Sequence, residues 1–243
     1  MCIRDRYDSI RLGVSQGETR QQITRRVVGT RANRFADGVV DISRRNATAI
    51  VRTSINHVTN LARDDFYKRN SDIISVLRWT ATLDGRTSAI CRARDGLFAT
   101  PDGSRLPSQY SGSALQPAGA RPPAHVRCRS IMIAVLNGQA IVGDRTTLVE
   151  TIDGRARRFS ISAEARRRGV TQAQLRRDYI QREIGSVPAT TDYDGFLRRQ
   201  TTTYQDSVLG QRKGQLFREG LHLSQYVDAT GRELTIGQLE NLL

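Results

Sequence analysis

The chain has 243 residues, of which 38% are hydrophobic and 26% charged, and carries a formal net charge of +14 with an isoelectric point near 10.8. That length can bury a real core, while no apolar run approaches the ~20 residues of a membrane span and no stretch has the layout of a secretion signal, so a soluble protein that is neither secreted nor embedded is expected. Three cysteines, Cys2, Cys91 and Cys128, are too few for a disulfide scaffold and fit a reducing compartment.

All but two of the 38 basic residues are arginines, the exceptions being Lys68 and Lys213. The guanidinium fork grips phosphate bidentately, so the charge suits a nucleic acid or an acidic protein as partner. GC-rich coding explains part of the preference for Arg over Lys, but not the excess of positive charge.

The opening Met1 to Arg6, Cys2 included, shows no amphipathic pattern and reads as a scar, so it is set aside. Ser15 and Glu18 have capping-box spacing ahead of Ile23, Val27, Val28 and Gly29, which predicts a short first helix. From Asp41 to Ser71 there is neither Gly nor Pro, and Ala47, Ile50, Val51, Ile55, Val58, Leu61, Ala62 and Phe66 recur at three and four. This predicts a long amphipathic helix, with Arg44, Arg45, Arg52, Arg63 and Lys68 on its other face and His57 on its flank. Leu77, Trp79, Ala81 and Leu83 then alternate with polar residues as in a strand with one buried face. Ser88 can cap a short helix that Gly96 stops.

Residues 97–124 hold five of the six prolines, and no regular element is expected in that long loop. The apolar run 130–136, ended by Asn137-Gly138, reads as a buried strand. Beyond it, 139–153 has room for two short strands. Helices are expected over 162–168, over 171–185 behind a Thr171/Gln174 capping box, over 192–209 and 211–219 with Gly210 and Gly220 as stops, and over 236–243 behind Thr235 and Gln238.

An antiparallel pairing of 77–83 with 130–136 places the end of one strand beside the start of the other. Asp84, Arg86 and Thr87 then approach His125 and Cys128, and Cys91 falls in the first turn of the short helix, where free amides favour a thiolate. Cys91, His125 and Cys128, with Asp84 as the fourth donor, form a natural zinc set. The same residues also read as a Cys/His nucleophile and base oriented by Asp84. A third reading makes the cysteines buried small hydrophobes, Asp84 a turn cap paired with arginine, and Pro122-Pro123 a stiff entry to the strand.

Trp79, Ala81, Asp84, Arg86, Thr87, Cys91 and Gly96, followed by Pro122, Pro123, His125, Cys128 and Arg129, resemble the head-morphogenesis domain of tailed-phage minor head proteins, the Mu F-like family. The helix 50–63 and the tail 194–240 are similar to corresponding stretches of such proteins. Many family members carry cysteines where this chain has Ser88 and Ser130, which removes two candidate thiolates. The resemblance implies a structural minor capsid protein, without enzymatic activity, acting with phage portal and capsid proteins in head assembly and contacting DNA non-specifically. Its expected places are the virion and, during assembly, the host cytoplasm.

Fold and organisation are therefore expected to be α+β. An N-terminal helical segment (1–75) contains the long helix, a small antiparallel sheet core with the Pro/Gly loop spans 76–138, and a mostly helical tail spans 139–243. The rival functions are a stand-alone DNA-binding protein, for which no base-reading motif is visible, and a Cys/His hydrolase or delivered toxin, for which the tail offers His222 alone.

Overall fold

The computed structural model describes residues 3–35, 37–38, 44–117, 119–149 and 165–243. It confirms a mixed α+β architecture with helices at both ends. Helices α1 (Ile3–Ser15) and α2 (Arg20–Val28) pack on the start of α3 (Arg44–Arg69), burying Ile10, Ile23, Val27, Val28, Ala47 and Val51 together. The segment set aside as a scar contributes Ile3–Arg6 to α1, and Met1 and Cys2 lie outside the described residues. The expected box at Ser15 and Glu18 is displaced: Ser15 closes α1 with its hydroxyl on Leu12 O, Glu18 pairs with Arg26, and α2 is capped by Thr19 and Gln22 instead. Both pairs have the right spacing, and the one after the Gly17 turn prevails because α1 already occupies Ser15.

The long helix forms as expected, but its apolar stripe is buried only at the start. Leu61 and Phe66 are 51% and 60% exposed, and a different row of side chains meets the sheet. Arg44 and Arg45 fall in α3 with side chains outside the described residues, and His57 is half-buried.

Strand β1 (Ile74–Thr80) is the centre of a three-stranded antiparallel sheet, flanked by β3 (Phe98–Ala99) and β4 (Ile131–Leu136). Leu77 pairs with Ala134 and Trp79 with Met132, the antiparallel arrangement the sequence implies. The strand was expected to run on to Leu83, yet Leu83–Asp84 forms a separate strand, β2, in a second sheet with β5 (Asp144–Leu148) and β6 (Ile184–Pro188). Pairing is parallel between β2 and β5 and antiparallel between β5 and β6. Nor does β1 have a solvated face: Arg78 is buried, donating to the carbonyls of Ala189 (Nη1) and Thr190 (Nη2, 2.8 Å) in the turn that covers it. Conversely β4, expected to be buried throughout, buries Met132 and Val135 and leaves Ile133 and Leu136 exposed.

Helix α4 (Ala89–Arg94) follows Ser88. Within the Pro/Gly loop, where no regular element was expected, β3 adds to β1, and a 3-10 turn over 108–113 puts Tyr110 against Phe98. The tail contains α5 (Gln172–Glu183), behind the expected Thr171/Gln174 box, then α6 (Tyr193–Arg198), α7 (Thr202–Leu209), α8 (Gln211–Arg218) and α9 (Ile236–Glu240) behind Thr235 and Gln238. The single helix expected over 192–209 is thus two, because the Thr201 hydroxyl caps a new start on the Tyr204 amide. A helical turn occupies 165–168, and residues 150–164, which include part of the expected strand and helix, lie outside the described residues.

Packing crosses both boundaries of the sequence division. The cut at 75/76 falls within β1, and Leu83 belongs to a core built from Tyr193, Phe196, Leu197, Tyr204, Leu216, Phe217, Leu223 and Tyr226 of the tail. Arg145 of β5 makes a buried fork to Asp95 (2.9 and 3.0 Å) and also donates to Ala81 O and Thr191 O. No described helix is long and apolar enough to cross a membrane.

Candidate functional site

At the end of β1 the chain crosses into β2, and at the other side of the pairing the segment 121–130 leads into β4. The β1–β4 register brings these two stretches together. Three groupings result.

The first is built on Asp84, which is 1% exposed. Arg129 donates both guanidinium nitrogens to it, at 2.6 and 2.7 Å, and the Arg86 amide donates at 3.0 Å. The Thr87 hydroxyl lies 3.1 Å from the same carboxylate, and the Arg86 side chain approaches at 3.7 Å. Burial pushes the Asp84 carboxyl up, but the Arg129 fork and charge, with the Arg86 amide and Thr87, outweigh it and hold the group below the usual carboxylate range. Asp84 is therefore committed to arginine. It was expected as a fourth metal donor, and its oxygens do not join the thiols.

The second grouping is the cluster itself. Cys91 Sγ lies 3.7 Å from Cys128 Sγ and 3.1 Å from His125 Nε2, and the ligand atoms of all three residues fall within 4.8 Å of one another. Both cysteines are free and buried, 1% and 4% exposed. His125 Nδ1 faces the Val126 carbonyl at 2.8 Å, and since a carbonyl only accepts, Nδ1 donates to it and Nε2 is turned toward the sulfurs. Ser88, expected to cap α4, makes no side-chain cap and instead places Oγ 2.7 Å from Nε2. The thiolate expected at Cys91 is disfavoured there. Hydrogen bonding with Cys128, then burial, push the Cys91 thiol up, whereas the Cys91 contact and the backbone amides around it pull Cys128 down.

The third grouping holds this segment in place and was missed from the sequence. Helix α3 faces it with a polar row, Thr53, Asn56, Asn60, Asp64 and Tyr67. The Thr53 hydroxyl accepts from the Arg127 amide (2.8 Å), where Arg127 takes a left-handed φ of 62°. Asn56 donates to Cys128 O (3.0 Å) and is itself held by Asn60 (2.8 Å). Asp64 accepts from Arg121 (2.7 Å), whose other branch reaches Thr100 O, and Tyr67 OH donates to Met132 O (3.2 Å). The signal in the sequence is a row of polar residues three and four apart, which apolar periodicity does not reveal.

The remaining motif residues are structural. Trp79 is fully buried, with the Arg94 guanidinium 5.4 Å from its ring centroid. Gly96 has a φ of +87°, and a Cβ there would sit 2.9 Å from Asp192 Cβ, so both conformation and space require glycine. Pro122 is buried and Pro123 half-buried at the entry to the cluster. Tyr193, from the tail, donates its hydroxyl to Asp84 O at 2.7 Å. His222 lies apart, capping the 3-10 turn 223–226 through Ser224.

No curated protein and no solved structure matches the chain. A family model does, and it spans the residues that assemble this site: the description Phage Mu protein F like protein matches residues 7–133, more than half of the chain, running from α1 through the polar row of α3 and the Asp84 and Cys91 turns into β4. The chain belongs to this Mu F-like family, a family of phage head morphogenesis.

Proposed function

We propose that the protein is a structural minor capsid component that works with the portal during tailed-phage head assembly and contacts DNA without reading its sequence. The observation that carries the reading is the family match over residues 7–133. The non-enzymatic part is supported by the site: Asp84, the Arg129 fork and the α3 row form a closed set of structural partners, and both thiols of the cluster, Cys91 and Cys128, are buried, 1% and 4% exposed. A hydrolase needs its nucleophilic sulfur open to substrate.

DNA contact is supported by the charge and its placement. Arg20 and Arg52, both exposed, line a groove of about 270 Å³ between α2 and α3 together with Gln21, Thr24 and Thr48, a surface suited to phosphates rather than base edges. Binding of this kind is driven by counterion release.

The experiment is sedimentation of assembling heads from cells that express the full chain with its phage's portal and capsid proteins. The protein is expected to travel with portal-containing heads and to be missing from shells assembled without portal; recovery at the top of the gradient in both cases would reject the reading. DNA affinity should fall by orders of magnitude between roughly 50 and 200 mM salt, equally for unrelated sequences, and a flat salt response would remove the DNA contact.

A further inference from the structure

We propose that Cys91, His125 and Cys128 bind a zinc ion, with the Ser88 hydroxyl as the fourth donor, and that this ion staples α4 to the segment entering β4. The proposal goes beyond head assembly and stands independently of it.

The geometry comes first. Two thiolates about 2.3 Å from a tetrahedral zinc lie about 3.8 Å apart, and Cys91 and Cys128 already stand at 3.7 Å. A thiolate and an imidazole on the same ion lie about 3.5 Å apart, so the 3.1 Å contact between Cys91 and His125 must open by roughly a few tenths of an ångström. Among the described residues, these three form the one group of His, Cys, Asp or Glu side chains whose donor atoms converge closely enough for a metal.

The imidazole is prepared in the way metal-binding histidines are. Its Nδ1 proton is spent on the Val126 carbonyl, which fixes the ring and turns Nε2 inward. The donor facing Nε2 is Ser88 Oγ at 2.7 Å, and the same hydroxyl touches Cys91. Asp84, the alternative carboxylate, is held by Arg129 on both oxygens. Placement supplies the purpose. Ser88 and Cys91 belong to α4 and its cap, while His125 and Cys128 belong to a stretch without regular structure that α3 holds through hydrogen bonds at Thr53, Asn56 and Asp64.

Each Zn–S bond forms on a thiolate, and any thiol still protonated gives up its proton to solvent as its bond to zinc forms. No oxidant or reductant is involved. With a serine hydroxyl in place of a third thiolate, the site should be weaker than a Cys-rich one and should exchange metal on purification.

The test uses the full chain, purified without a polyhistidine tag, reduced, and stripped by chelator before titration with Zn²⁺ or Co²⁺. The expected result is about one equivalent bound, a rise in melting temperature that chelator reverses, and a cobalt spectrum with tetrahedral d–d bands and thiolate charge transfer. Ser88→Cys should tighten zinc by about tenfold or more, and Cys128→Ser should weaken metal binding and lower the charge-transfer intensity per bound cobalt by about half. Less than about a tenth of an equivalent on folded, reduced protein, or a spectrum without charge transfer, overturns the proposal. The wild-type spectrum decides alone if Cys128→Ser does not fold. A Ser88→Cys protein with unchanged affinity overturns the assignment of the fourth donor.

Discussion

Asp84 shows how one buried carboxylate makes a turn depend on charge. It collects both arms of Arg129, the Arg86 amide and the Thr87 hydroxyl, and the balance lowers its pKa. A group depressed in the folded state contributes stability that is complete above its unfolded value, about 3.9, and is lost as pH falls through the folded one. Melting temperature should therefore drop on acidification below about pH 4, and the acid limb should flatten in an Asp84→Asn protein while its stability at pH 7 falls by about 2–4 kcal/mol, because Arg129 loses its partner. An acid limb identical to wild type would show that other carboxylates dominate it. That Asp84 pairs with an arginine was legible in the sequence, but which arginine was not. Arg86 is two residues away, whereas Arg129 reaches it only because the β1–β4 register sets the two turns side by side. The proximity of Cys91, His125 and Cys128 follows from the same register and was legible for that reason. The ionisation of the two thiols was not, since it depends on burial and local donors that no spacing reveals.

At the scale of elements, α3 is the instructive case. Its length and helicity follow from residues without Gly or Pro, but its contact with the site is polar. Thr53, Asn56, Asn60, Asp64 and Tyr67 each spend a hydrogen bond on the segment 121–132 or on one another. Asn56→Ala leaves the Cys128 carbonyl without its donor and should cost about 1–3 kcal/mol in urea unfolding. Leu61→Ala, on the exposed remainder of the apolar stripe, should stay within about 0.5 kcal/mol. The reverse order of the two effects would mean that the helix is held by its apolar residues after all. Period-finding fails here because a helix that docks on irregular backbone must offer donors and acceptors, and these occupy the positions where hydrophobes would otherwise recur. The strand β6 was missed for a different reason: Ile184-Gly-Ser-Val-Pro188 is short and mostly exposed, and it continues directly from a well-capped helix.

Across the whole molecule, the family match ends inside β4, but the fold does not. Leu83 is buried by the tail, Tyr193 closes over the Asp84 turn, and Arg92 donates to Val208 O at 3.0 Å. Gly231, with a φ of +85°, lets the last loop approach Ile90 so closely that a Cβ would sit 2.3 Å from its Cδ1. The buried Asp95 carboxylate depends on Arg145 from beyond the matched region. A protein ending at Gly138 should therefore bind a hydrophobic dye and lose its cooperative transition, since it exposes Leu83 and leaves a buried acid unpaired. A sharp two-state melt from that fragment would contradict the packing. The sequence reveals the tail as helical and similar to family ends; that it shares a core with the motif comes from side chains more than a hundred residues apart and could not be seen in local pattern.

Trp79 is the chain's single tryptophan, sealed in the sheet beneath Arg94 and in one cluster with Cys91 and Cys128. Its emission is consequently a private optical channel into the motif: blue-shifted while the sheet is intact, silent about the helices at either end, and quenched or released by whatever happens at the neighbouring sulfurs. The protein thus carries a probe by which the state of this one corner can be followed without a label.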